Sequence, residues 1–126
     1  LITALTAGSS AGTNDVDGGL TSIQSPPIAL PASGLITLSF RFYSAHLSNS
    51  SSSDYFRVRV VRGDGTLQTV FQETGAADND AAAWAGQTVD LSTYAGQSIR
   101  LRFEAADRSS GSLIEAGVDN VVITRQ

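Results

Sequence analysis

Strict two-residue alternation is the feature that leaves this chain least freedom. Across residues 36–43, Ile36, Leu38, Phe40 and Phe42 alternate with Thr37, Ser39, Arg41 and Tyr43. The same period returns across residues 98–105, where Ile99, Leu101, Phe103 and Ala105 alternate with Ser98, Arg100, Arg102 and Glu104. A third run sets Phe56, Val58 and Val60 against Tyr55, Arg57 and Arg59. Successive side chains of an extended strand point to opposite faces, so this period predicts one dry and one wetted face. Leu38, Phe40, Val58, Leu101 and Phe103 are the expected core.

Turn signals divide the rest of the chain into pieces of strand length. Gly63, Asp64 and Gly65 make a tight hairpin that returns through residues 67–74. Pro26 and Pro27 stop a strand over residues 20–25 or hold it on an edge, because proline cannot donate to a ladder. Residues 1–6 suit a short edge strand and residues 87–91 another short strand. Residues 48–53 (SNSSSS) are polar and of low complexity, which predicts a mobile loop, and residues 75–83 read as a second loop. About eight strands result, with no convincing amphipathic helix. The expectation is an all-β, antiparallel two-sheet β-sandwich spanning residues 1–126 as one domain.

Composition narrows the partners. A net charge of −4 argues against nucleic acid, which usually needs a basic face. No apolar run approaches the ~20 residues needed to cross a bilayer, so no membrane partner is expected. Cysteine is absent, so neither disulfides nor thiolate metal ligands are in play. The eight basic residues are all arginine, a bias that reflects genomic base composition rather than chemistry. A start at Leu1 rather than Met points to a mature piece or an excised domain.

Catalytic chemistry finds little support. The chain holds one histidine, His46, beside the serine-rich loop, where a general base would be poorly held. No Gly-x-Ser-x-Gly elbow, His-Glu-x-x-His pair or phosphate-cradling glycine loop occurs. Glu115 and Asp119 are a pair of carboxylates, but they lie four residues apart at the start of one strand. The chain is expected not to be an enzyme.

Two sets of residues point instead to a cation and to a ligand. Asn14, Asp15 and Asp17 place oxygen-bearing side chains on a turn next to Gly18 and Gly19, which suits calcium or an Asx-rich turn capped by backbone amides. Asp119 heads an apolar run, where a carboxylate is costly to bury unless it meets a cation or strong donors. For a ligand, Tyr43 and Tyr55 share the outward parity of their strands with Arg41, Arg57, Arg59, Arg100 and Arg102. In one sheet these would form a tyrosine-bearing arginine face able to grip carboxylates, or a solvated face cross-paired with Glu73 and Glu104. Trp84 follows a polar loop and sits either at a rim or, the favoured reading, as a plug between the sheets. Tyr94 packs as a structural corner.

The stretch DLSTYAGQ (residues 90–97), the strand IRLRF and the segment LIEAGVDNVV (residues 113–122) together resemble the closing half of a β-jelly-roll module. NDVDGG (residues 14–19) with LTSIQSPPI resembles its opening half. Such modules are appended to secreted bacterial proteases, glycosidases and other hydrolases, and are related in shape to carbohydrate-binding modules and meprin-type adhesion domains. The resemblance implies a secreted, non-catalytic accessory module that binds a glycan or other extracellular polymer and anchors a covalently linked parent enzyme domain. A purely structural C-terminal domain of an exported protease is the alternative. It also implies a structural calcium tying the opening segment to the last strand, with Asp15 or Asp17 and Asp119 as ligands and Glu115 as a possible one.

Overall fold

The computed structural model describes residues 18–108 and 111–126. Its strands are β1 (Leu20–Gln24), β2 (Ile28–Ala29), β3 (Ile36–His46), β4 (Tyr55–Arg62), β5 (Leu67–Thr74), β6 (Ala85–Asp90), β7 (Ser98–Ala106) and β8 (Ile114–Arg125). A short 3-10 turn, Ser92–Tyr94, links β6 to β7. Two antiparallel sheets form, as the alternation predicts. One runs β1-β7-β4-β5, with β2 continuing along the same edge of β7, and the other runs β6-β3-β8. Pro26 and Pro27 separate β1 from β2 on an edge, where their missing amides cost no ladder bond. The β4–β5 hairpin closes through residues 62–66, and within it only Gly65 takes a positive φ, 84°.

The sheets meet through aromatic rings. Phe40 and Phe42 come from β3, while Phe56, Phe71 and Phe103 come from β4, β5 and β7. Their centroids lie 5.0–6.4 Å apart, with Phe42 stacked on Phe56 and most other contacts edge-on. Leu38, Phe40, Val58, Leu101 and Phe103 are all buried, on the inward parity expected of them. Tyr94 packs into the same core from the 3-10 turn, as a corner.

One end of the sandwich is locked by buried polar groups that the sequence does not single out. Asp54 and Asp107 are both fully buried. The Ser112 hydroxyl lies 2.6 Å from Asp107 Oδ1 and 3.2 Å from Asp54 Oδ2. Asp54 also accepts the Arg108 amide at 2.7 Å, the Ser51 amide at 2.8 Å and the Ser50 hydroxyl at 3.0 Å. The serine-rich stretch expected to be a mobile loop is therefore pinned, with Ser50 itself buried. His46, read from the sequence as poorly held beside the serine-rich loop, is buried as well. Its Nδ1 lies 3.1 Å from the Asp78 carbonyl oxygen, and its backbone bridges to Asp80.

Candidate functional site

Each sheet has an outer face, and the two differ in chemistry. On β3 the alternation turns Thr37, Ser39, Arg41 and Tyr43 away from the core. Trp84 stands immediately before β6, next to Tyr43 across the sheet. The two ring centroids are 4.9 Å apart with planes at 87°, so an edge of one ring meets a face of the other. Arg41 Nη2 donates to the Trp84 carbonyl oxygen at 3.2 Å, fixing the backbone that carries the indole. On the other side of β3, Tyr43 pairs with Gly117 of β8. A Cβ at Gly117 would overlap the tyrosine ring, so only glycine lets that ring lie down against the strand. Burial, and then the Glu115 carboxylate, push the Tyr43 phenol above its ordinary value.

Trp84 remains 46% exposed. The expected core plug is thus a surface residue, because β6 pairs Ala85 with Phe42 and the parity turns position 84 outward. Farther along the same strands, reached from Trp84 through Arg41, lies a shallow depression of about 570 Å³ lined by Ser39, Arg41, Gln87, Thr88 and Asn120. An exposed aromatic flanked by hydroxyl, amide and guanidinium groups offers stacking area together with directional donors and acceptors.

The opposite face belongs to the five-stranded sheet and is ionic. Glu104 on β7 points outward by parity yet is only 1% exposed, because arginines close over it. Arg57 Nε donates to Glu104 Oε2. Arg102 Nε is 2.8 Å from Oε1, an ion pair without an aligned hydrogen bond, and Arg59 Nη1 is 3.8 Å from the same oxygen. Tyr55, expected to offer an exposed ring, is buried, with the Arg57 guanidinium 4.3 Å above its centroid.

The single tyrosine-arginine face does not form. Tyr43 and Arg41 lie on β3, whereas Tyr55, Arg57 and Arg59 lie on β4 in the other sheet. Residues 47–54 carry the chain over the polar end from one sheet to the other, so equal outward parity sends the two groups to opposite sides of the molecule. Of the two carboxylates expected to cross-pair the arginines, Glu104 does so, buried rather than solvated, whereas Glu73 neighbours Asp80 and His46.

Of the expected metal ligands, only Glu115 and Asp119 fall among the described residues. Asn14, Asp15 and Asp17 lie outside the described residues. Asp119 is exposed and faces Arg41 across the ladder. It meets no buried environment: its Oδ1 accepts the Asn120 amide at 2.8 Å, and Asn120 sits at φ 51° where the β3–β8 register shifts by a bulge. Glu115 is roughly 13 Å along the same strand from Asp119, and the Tyr43 ring lies against Gly117 between them. These two carboxylates do not fit a shared calcium ion. Among the described residues no group of three or more His, Cys, Asp or Glu side chains is placed to hold a metal. The Gly18 amide points to Asp107 Oδ2 at 3.4 Å.

No family model matches the chain, and no curated protein matches it. Among solved structures, the K3 cleaved adhesin domain of Lys-gingipain from Porphyromonas gingivalis is similar over 82% of this chain, at 18% identity and a TM-score of 0.54. This chain spans 63% of that one. A protein described as a CBM4 matches over 88% of this chain and 80% of its own, at 14% identity and a TM-score of 0.43. The adhesin likeness agrees with the two-sheet sandwich and bears on fold alone.

Proposed function

We propose that this chain is a non-catalytic accessory module of an exported bacterial protein that holds its parent on a glycan. The binding surface is the outer face of β6-β3-β8, with Trp84 as the stacking ring. The observation that carries this reading is Trp84 itself, the one tryptophan of the chain, 46% exposed and braced by Tyr43 and Arg41. Ordering an indole in advance reduces what a ligand must spend to immobilise it. Ser39 and Thr88, in the depression that Arg41 joins to the indole, supply groups for sugar hydroxyls. Likeness to an adhesin domain supports an accessory role without naming a ligand. A structural calcium held by Asp15 or Asp17 together with Asp119 is a separate proposal, because Asp15 and Asp17 lie outside the described residues; Glu115 is too far along β8 to join Asp119 there.

A glycan array followed by titration calorimetry tests the proposal. Trp84→Ala should weaken binding of the selected neutral glycan by about tenfold or more, the loss of roughly 1.4 kcal/mol or more. The variant should keep its stability within about 1 kcal/mol, as expected for an exposed side chain with one ring contact. Unchanged affinity in Trp84→Ala would remove this face from consideration. An array with no glycan bound would leave the structural-domain alternative standing.

A further inference from the structure

The ionic face is a second candidate surface, independent of Trp84. In register, Arg57 lies opposite Glu104, Arg59 opposite Arg102, and Val61 opposite Arg100. Among the described residues, this face therefore carries four guanidiniums and one carboxylate, three of the arginines gathered around Glu104, a formal surplus of three positive charges on a chain of net charge −4. Like charges placed directly across a ladder, as Arg59 and Arg102 are, destabilise the pairing. Glu104 offsets part of that cost and leaves the face with a net positive charge. Arg59 Nε and Arg102 Nε are shielded from solvent and have no hydrogen-bond acceptor. At the far end Arg62 and Arg100 line a groove of about 330 Å³ with Gln24 and Ser98.

The geometry points to this face as a docking surface for an acidic polysaccharide, whose carboxylate or sulfate groups lie along Arg57, Arg59, Arg102 and Arg100 toward Arg62. The charges are strung over roughly 17 Å of strand instead of converging on one point, which fits an extended polymer better than a small anion. Guanidinium forks match carboxylate and sulfate oxygens in pairs. A nucleic-acid duplex, with a negative charge every ~1.7 Å, would bring far more charge than three surplus cations balance and would meet the acidic remainder of the chain. Glu104 acts here as a positioning residue: it anchors Arg57, Arg59 and Arg102 against the sheet, where their side chains stay 20–29% exposed.

The test uses the whole chain with polygalacturonate as the carboxylated probe, heparin as the sulfated probe, and a mixed-sequence DNA duplex for comparison. Arg57 and Arg102 are the closest partners of Glu104, so Arg59→Gln with Arg100→Gln is the variant that lowers the charge while sparing them. Binding of at least one acidic glycan is expected, weakening steeply between low and physiological salt. The double variant should bind it on the order of tenfold more weakly or worse, the equivalent of one or more lost charge-assisted contacts. Preference between the two probes distinguishes carboxylate from sulfate. Should the double variant melt early, Arg100→Gln alone, which removes no contact to Glu104, is expected to show a smaller loss in the same direction. The proposal is overturned if neither glycan binds, if affinity is unchanged in these variants, if it is insensitive to salt, or if the duplex binds as tightly as the better glycan. Trp84→Ala should leave acidic-glycan binding intact, and the double arginine variant should leave neutral-glycan binding intact. Failure of one face is thus separable from failure of the other.

Discussion

The two outer faces of this sandwich are built by the same alternation and end up with opposite characters. On β6-β3-β8 the outward side chains are an exposed tryptophan, a tyrosine lying against a glycine, and polar groups that leave the rings accessible. On the five-stranded sheet the outward side chains are charged and engage one another, to the point that Glu104 is as buried as a core residue. The first face is supported by the fold without contributing much to it. The second is part of what holds its own sheet together. An outward parity therefore says little about exposure; what matters is whether neighbouring side chains can satisfy each other.

The comparison can be broken first at the core that both faces rest on. Phe103→Ala should cost roughly 3–5 kcal/mol in urea denaturation, as large-to-small aromatic changes in a core do. Phe103 packs edge-on against Phe40, so both sheets feel the loss. A cost under about 1 kcal/mol would mean that the sheets are held together elsewhere.

Glu104→Gln sharpens the contrast between the faces. It keeps the side-chain shape but leaves three arginines facing each other without their anion. A loss of about 2–3 kcal/mol is expected, shrinking in high salt as the arginine repulsion is screened. A salt-independent or negligible loss would show that the ionic face contributes nothing to folding.

Gly117→Ala probes the aromatic face from beneath. The new methyl has nowhere to go but into the Tyr43 ring, so about 1–3 kcal/mol should be lost. Combining it with Tyr43→Ala should recover part of that, because the double variant no longer contains the clash. A strictly additive cycle would contradict the packing of ring on glycine.

The smallest effect lies away from both faces. Burial, and then Asp80, hold the Glu73 carboxyl above its ordinary range, with His46 acting against them. A raised value in the folded state means that the stability it contributes is present at acid pH. That contribution is lost as pH rises through the raised value. Glu73→Gln should therefore raise the melting temperature slightly at pH 7 and leave it unchanged below the ordinary carboxylate range. A stabilisation of equal size at both pH values would rule out this electrostatic origin.

What the sequence determined by itself follows from the period of a strand. The alternation at residues 36–43, 55–60 and 98–105 identified β3, β4 and β7 and the core-facing member of each residue pair, because facing in or out is a local property of an extended chain. The glycine turn after Arg62 marked the hairpin to β5, since a short connection leaves antiparallel neighbours no other arrangement. The tertiary structure alone decided which strands share a sheet. Tyr43 and Tyr55 have the same parity, yet residues 47–54 cross from one sheet to the other and send them to opposite faces. It also decided which polar groups are buried. Asp54, Asp107 and Glu104 look like surface residues in the sequence, and they are enclosed because Ser112 reaches Asp54 and Arg57 reaches Glu104 from distant positions, joining the nearby contacts of Ser112 with Asp107 and of Arg102 with Glu104. Asp119, which looks costly to bury, is left in the open by its place opposite Arg41 on an outer face and satisfies the adjacent bulge. Local periodicity fixes direction, whereas shared faces and buried charge depend on contacts between strands far apart in the chain.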